Sequence, residues 1–130
     1  MTATPVVLDS WAVLAWLDGD DPAADAVDTV IDARPLMSWI NLVEVAYRLE
    51  RQHGRAQSES TITELRRLID ADLPGTGRML AAARIKATTP IALGDCFALA
   101  TAIAANAELW TGDPEILRLP NPGCPLRDLR

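Results

Sequence analysis

Four acidic residues, far apart in the chain, occupy one kind of position. Asp9 follows the apolar run Val6-Val7-Leu8. Glu44 falls in the first turn of a helix after a second short run. Asp95 opens the most apolar helix, and Asp113 follows a run ending in Thr111. Each has a plain structural role. Asp9, Asp95 and Asp113 suit helix N-caps, where a carboxylate accepts a backbone N–H. Pro114 fits the first helical position after Asp113, and Asn41 with Glu44 has the spacing of a capping box. The set asks for more than capping. If the strands are parallel, three of these acids project at the carboxyl ends of a sheet, where α/β folds bind ligands, and Asp95 joins them from its helix start. Carboxylates gathered there repel one another. A divalent cation relieves that repulsion, and ligands that are all oxygen select a hard ion such as Mg²⁺ or Mn²⁺. Ser10 and Thr111 place hydroxyls beside the cluster. Such an ion would lower the pKa of a water nucleophile and stabilise the charge that develops when a phosphodiester is attacked in line.

The acids meet only if the intervening chain forms the right frame. A strand over residues 6–8 runs directly into a helix reaching residue 17, and GDDP (19–22) ends it. A second helix carries Ala26, Val27, Val30 and Ile31 on one face. A strand over 36–38 leads to a helix striped by Leu42, Val45, Ala46 and Leu49 and stopped by Gly54. Ser58 or Ser60 is placed to cap a further helix bearing Ile62, Leu65, Leu68 and Ile69. Residues 70–73 read as an edge strand closed by Pro74 and Gly75. Helix resumes over 78–87, residues 88–94 form a loop, and 95–107 form a helix apolar nearly all round, hence core. A strand over 108–111, a short helix over 113–119 and a final strand near 125–129 complete the chain. Strands separated by one or two helices predict an α/β fold with a parallel sheet covered on both faces.

The totals fit one domain over residues 1–130. Apolar residues make up 49% and charged residues 23%, ordinary for a globular protein. No apolar run approaches a membrane span, and the opening MTATPVVLDS lacks a basic segment followed by an apolar one, so the cytoplasm is the expected compartment. The net charge of −6 argues against a nucleic-acid partner when taken alone. It does not exclude one, because cations bound by the carboxylates are missing from the count. Cys96 and Cys124 have no partners at metal-ligand spacing; Cys96 reads as a small buried hydrophobe. The single histidine, His53, lies at a polar helix end, where solvation is its expected state.

The motifs VVLDSWAVLAWL, SWINLVEVAYRL, IALGDCFALATAIA and ELWTGDPEIL, in that order and spanning nearly the whole chain, resemble those of PIN-domain ribonucleases, most closely the VapC-type toxins of bacterial toxin–antitoxin pairs. The resemblance implies a Rossmann-like three-layer fold with sheet order 3-2-1-4-5. It implies Mg²⁺- or Mn²⁺-dependent cleavage of RNA by Asp9, Glu44, Asp95 and Asp113, with Thr111 and Ser10 in support. It also implies a homodimer and inhibition by a VapB-like antitoxin lying in a groove near the site. Two features depart from the family pattern. Gly112 stands where a larger residue is common, and Trp39 and Trp110 are bulky residues near the site.

Further candidates concern the substrate. Arg48, Arg51 and Arg55 recur at about one helical turn and suit phosphates, or equally a solvated face beside Glu50. Trp39 and Trp110 are candidates to stack on bases, while Trp11 and Trp16 are placed to face a dimer mate or an antitoxin. The main rival is a non-catalytic PIN-like scaffold, against which the presence of all four acids counts. A phosphoacceptor receiver domain would need a lysine at a late strand end, but the only lysine, Lys86, lies in a helix. A Mg²⁺-dependent phosphatase would need a second Asp where Trp11 stands.

Overall fold

The computed structural model describes residues 3–130. Five short strands, β1 (Val6–Leu8), β2 (Leu36–Ser38), β3 (Asp70–Asp72), β4 (Glu108–Thr111) and β5 (Leu126–Asp128), form one sheet. Its order is β3-β2-β1-β4-β5, and every neighbouring pair is parallel. This is the sheet the resemblance implies. The helices are α1 (Ser10–Asp18), α2 (Ala23–Asp28), α3 (Trp39–His53), α4 (Arg55–Leu68), α5 (Thr76–Thr88), α6 (Leu93–Ala105) and α7 (Pro114–Leu117).

Side chains alternate across a strand, and β1 divides two cores. Leu8 packs with Val13, Met37, Leu42, Val45 and Leu65 under the helices α1 to α4. Val7 packs with Leu109, Leu99, Cys96 and Ile116 under α6 and α7. Parallel strands buried on both faces read as continuous apolar runs, as VVL in β1 does. Each of these fully buried aliphatic side chains contributes about 1.5–3 kcal/mol. That burial fixes where β1 and β4 stop, and Asp9 and Asp113 lie just beyond those ends.

Several local expectations are corrected by the structure. The second helix ends at Asp28, and Ile31–Ala33 form a separate 3-10 turn. Val30 and Ile31 are half-buried, and the helix buries Ala23, Ala24 and Val27 instead. Neither Ser58 nor Ser60 caps α4, which starts immediately after Gly54. Ser58 is buried one turn in, and its hydroxyl donates to the Ala46 carbonyl at 2.7 Å, tying α4 to α3. Asn41 and Glu44 do not form a capping box, because α3 begins earlier and Ser38 is its cap, accepting from Ile40 N. α6 begins at Leu93 with Ala92 as N-cap, so Asp95 is the third residue of the helix rather than its opening. The edge strand ends at Asp72, leaving Leu73 outside it. The last strand extends its hydrogen bonding through Leu129 N to the Thr111 carbonyl. Both cysteines are free, and Cys96 is buried, as its reading as a small hydrophobe required.

The hydrogen bond from Ser58 separates the two serines experimentally. Ser58→Ala is expected to lower the unfolding free energy by about 1 kcal/mol through the lost buried bond. Ser60→Ala, an exposed substitution, stays within about 0.5 kcal/mol of the parent in urea denaturation.

Candidate metal centre

The carboxyl ends of β1 and β4, the first two turns of α3 and the first turns of α6 and α7 converge. Because α3 starts at Trp39, Glu44 is its sixth residue and lies in the second turn rather than the expected first. Asp9 is buried at the end of β1, and Asp95 is buried in the first turn of α6. Asp113 and Glu44 are half-buried. Asp9 Oδ1 accepts from Ala12 N at 2.9 Å, so the acid does cap α1, as its bland reading required. Its other oxygen accepts from the Thr111 hydroxyl. The same hydroxyl oxygen accepts from Asp113 N at 2.9 Å. Thr111 thereby fixes the first and last acids relative to each other. Asp113 Oδ1 accepts from Glu115 N at 2.9 Å, capping α7. Ser10, half-buried, begins α1 beside Asp9.

Asp95, Asp113 and Glu115 each offer a carboxylate oxygen, and the three oxygens lie within 4.8 Å of one another. Glu115 is an addition to the expected set. The signal for it was the pattern Asp113-Pro-Glu115, which puts two acids in the first turn of one short helix. Among the described residues, no lysine or arginine forms a salt bridge with Asp9, Glu44, Asp95, Asp113 or Glu115. Asp95 Oδ2 is buried and has no hydrogen-bond donor. A buried carboxylate oxygen without a donor is costly, and a cation is a partner that would satisfy it. With no His or Cys among the donors, the pocket suits a hard divalent ion.

The protonation states follow from the same geometry. Burial raises the Asp9 carboxyl to about 7. The hydrogen bonds from Thr111 and Ala12 pull against that, and the charges of Asp113 and Glu44 add to it. Burial also raises Asp95 to about 8, helped by the charge of Asp113, a hydrogen bond shared with Asp113, and the charges of Asp9 and Glu44. Asp9 and Asp95 therefore hold protons near neutral pH that a bound cation would displace.

Two glycines let the pieces approach. A methyl group at Gly94 would overlap the Glu44 carboxylate, and one at Gly112 would overlap the ring of Trp11. The small residue before Asp113 is therefore matched by a large one after Ser10. Trp11 is half-buried against Gly112 and the core beside α1. Trp16 donates from its indole nitrogen to Asp28 Oδ1 at 2.8 Å, bridging α1 and α2.

The substrate candidates fare differently. Arg48 is exposed one turn beyond Glu44 on α3. Arg51 stacks on Tyr47, its guanidinium carbon 4.8 Å from the ring centre. At roughly 1.5 Å of rise per residue, these two lie about 6 Å and 10 Å along α3 from Glu44. Arg55 does not share their helix, since Gly54 separates α3 from α4. It pairs with Glu59 at 2.8 Å. Trp110 is buried, covered by Arg127 at 4.2 Å and bonded to Glu108, so it is not a platform for bases. Trp39 is half-buried against Arg66 in a groove between α3 and α4.

A fully parallel α/β sheet with a cluster of carboxylates at its carboxyl edge defines a three-layer α/β protein whose acids could hold a cation. More specifically, the chain belongs to the PIN domain family, whose model matches residues 6–122. No curated protein matches it by sequence. Among solved structures, it is similar to a chain of a DNA-bound VapBC from Salmonella typhimurium, with TM-score 0.78 and 16% identity over 98% of this chain and 100% of that one. It is similar also to a chain of VapBC2 from Rickettsia felis bound to a promoter DNA fragment, with TM-score 0.74 and 18% identity over 96% and 98%. A chain of a toxin–antitoxin complex from Klebsiella pneumoniae gives TM-score 0.71 and 16% identity over 96% and 98%.

The raised carboxyls carry a signed consequence for stability. Between about pH 4 and pH 8 the metal-free native state binds more protons than the unfolded chain, so its stability falls as pH rises. The melting temperature of the EDTA-treated protein is expected to drop across this window. Asp9→Asn should flatten the drop and raise stability near pH 8 by roughly 1–2 kcal/mol. A melting temperature that rises across the same window would contradict this electrostatic account.

Proposed function

We propose that the protein is a Mg²⁺- or Mn²⁺-dependent ribonuclease, the toxin of a toxin–antitoxin pair acting in the cytoplasm. The observation that carries the reading is the buried, donorless Asp95 Oδ2 beside Asp113 and Glu115, none of them in a salt bridge among the described residues. Membership of the PIN domain family supports the nuclease class. The VapBC and toxin–antitoxin complexes among the similar structures support an antitoxin partner.

In this reading Asp9, Glu44, Asp95 and Asp113 hold the ion or ions, and Glu115 extends the set at the open side. The bound ion supplies a water nucleophile of lowered pKa and charge opposite the developing phosphate oxygens. The chain's own residues do the rest. Thr111 keeps Asp9 and Asp113 at a fixed separation, and the N-cap bond from Ala12 orients the Asp9 carboxylate. The Asp95 carboxyl, raised by its burial, is the group whose proton a bound cation would displace. Arg48, exposed one turn from Glu44 and outside any salt bridge among the described residues, is the candidate to hold an RNA phosphate; Arg51 and Arg55 already have partners. The cations in the site offset the acidic body that would otherwise repel RNA.

The antitoxin is assigned to the groove between α3 and α4. It is lined by Trp39, Val43, Tyr47 and Ile62 and has a volume of about 580 Å³. Val43 and Tyr47 are exposed there without a covering element, the arrangement into which an amphipathic helix lays its apolar face. The family resemblance adds a homodimer.

The test is cleavage of RNA with Mg²⁺ or Mn²⁺, with EDTA as control. Native protein freed of any bound inhibitor is expected to cleave. Asp9→Asn and Asp95→Asn should each lose on the order of 100-fold or more, as removal of a main transition-state stabiliser does. Glu115→Gln should lose less. Equal cleavage by the native protein and both asparagine variants would remove the mechanism, and absence of metal-dependent cleavage would leave the scaffold reading.

A further inference from the structure

We propose that Asn41 is the positioning residue of the metal centre, holding Glu44 in place and fastening the first turn of α3 to that of α6. The proposal rests on the reading of Glu44 as a metal-binding carboxylate.

Asn41 is 1% exposed and three residues before Glu44, a spacing that puts both side chains on one face of α3. Its Nδ2 donates to Glu44 Oε1 at 2.8 Å and to the Gly94 carbonyl at 3.0 Å. The amide nitrogen carries two hydrogens, and these two acceptors use both. The orientation of the amide is forced. Turned over, Asn41 would present its oxygen to two acceptors, and both bonds would become repulsive.

The cost of this arrangement falls on the other end of the side chain. Asn41 Oδ1 is buried without a donor, an uncompensated penalty for the fold. Helix capping does not explain the residue, because Ser38 is the cap of α3. What the amide does is local to the acids. Gly94 immediately precedes Asp95, and its missing side chain leaves the space that the Glu44 carboxylate fills. One side chain therefore fixes the Glu44 carboxylate and the backbone next to Asp95 at once. Such outer partners commonly set metal affinity within about 10–100-fold.

The experiment is a thermodynamic cycle read by Mn²⁺ binding in calorimetry, with the melting temperature recorded for every variant. The variants are Asn41→Ala, Glu44→Ala and the double substitution. Expected results are a loss of at least about tenfold in Mn²⁺ affinity for each single variant. The double variant should bind less weakly than the two single losses added together. The part of the Asn41 effect that runs through Glu44 is already gone in Glu44→Ala, and only the bond to the Gly94 carbonyl remains to be lost. A purely structural role would instead weaken binding equally in both backgrounds, and that outcome overturns the proposal. So does unchanged Mn²⁺ affinity in Asn41→Ala when Glu44→Ala is impaired. Glu44→Ala binding Mn²⁺ as tightly as the native protein, or a native protein that binds none, overturns the underlying reading of Glu44 and this inference with it. Asn41→Ser, too short to span both acceptors, is read in the same cycle if Asn41→Ala does not yield folded protein.

Discussion

Repulsion among like charges is the constraint around which this molecule is arranged. Asp9, Glu44, Asp95 and Asp113 come from four separate elements, and the charges of Glu44 and Asp113 help raise the carboxyls of Asp9 and Asp95. Nothing in their mutual electrostatics favours the gathering. The apolar packing behind them forces it, because the strand ends and helix starts that carry them are fixed by two cores on opposite faces of the sheet. With several aliphatic side chains fully buried on each face, at about 1.5–3 kcal/mol each, the packing outweighs the cost of holding carboxyls together, the more so because some remain protonated. The strain of the site is thus offset at a distance, by residues that have no chemistry of their own.

The hydrogen bonds within the site are few and divided in purpose. Thr111 joins Asp9 to Asp113, and Asn41 joins Glu44 to the backbone before Asp95. The acids are therefore linked as two pairs, each pair bridging a strand end or helix start to another element. Among the described residues, the buried side-chain polar atoms left without a hydrogen-bond partner are Asn41 Oδ1 and Asp95 Oδ2. Both belong to residues of the centre. A fold optimised only for stability would have filled these positions with apolar groups.

The general frame was legible in the sequence because its signals are local and physical. VVL running into Asp-Ser, the stripe on α3 and the all-round apolar α6 each have one low-energy reading, and strands separated by helices leave few topologies. The acids were singled out for the same reason, and Asp9 and Asp113 do follow strand ends, while Asp95 lies in the first turn of α6 and Glu44 in the second turn of α3. What was missed depends on tertiary partners. Ser58 looked like a cap because serine favours caps, but its hydroxyl finds Ala46 on the neighbouring helix. Asn41 and Glu44 had capping-box spacing, yet the amide reaches across to Gly94, a partner 53 residues away. Arg55 seemed to continue the arginine row until Gly54 ended the helix. Trp110 looked available until the last strand laid Arg127 over it. Glu115 was hidden in plain view, since an acid in the first turn of a short helix is ordinary unless the helix starts beside other acids.

The contact between Trp11 and Gly112 reaches beyond the single structure. The indole occupies the volume that any side chain at position 112 would need, and both residues border acids of the centre. A larger residue at 112 displaces the indole unless position 11 has become small, whereas shrinking 11 first merely opens space. The two positions therefore form an epistatic unit with a preferred order of change. Descendants of this chain can cross to the bulkier form of the motif along one mutational path, while the reverse order passes through an intermediate whose crevice is displaced.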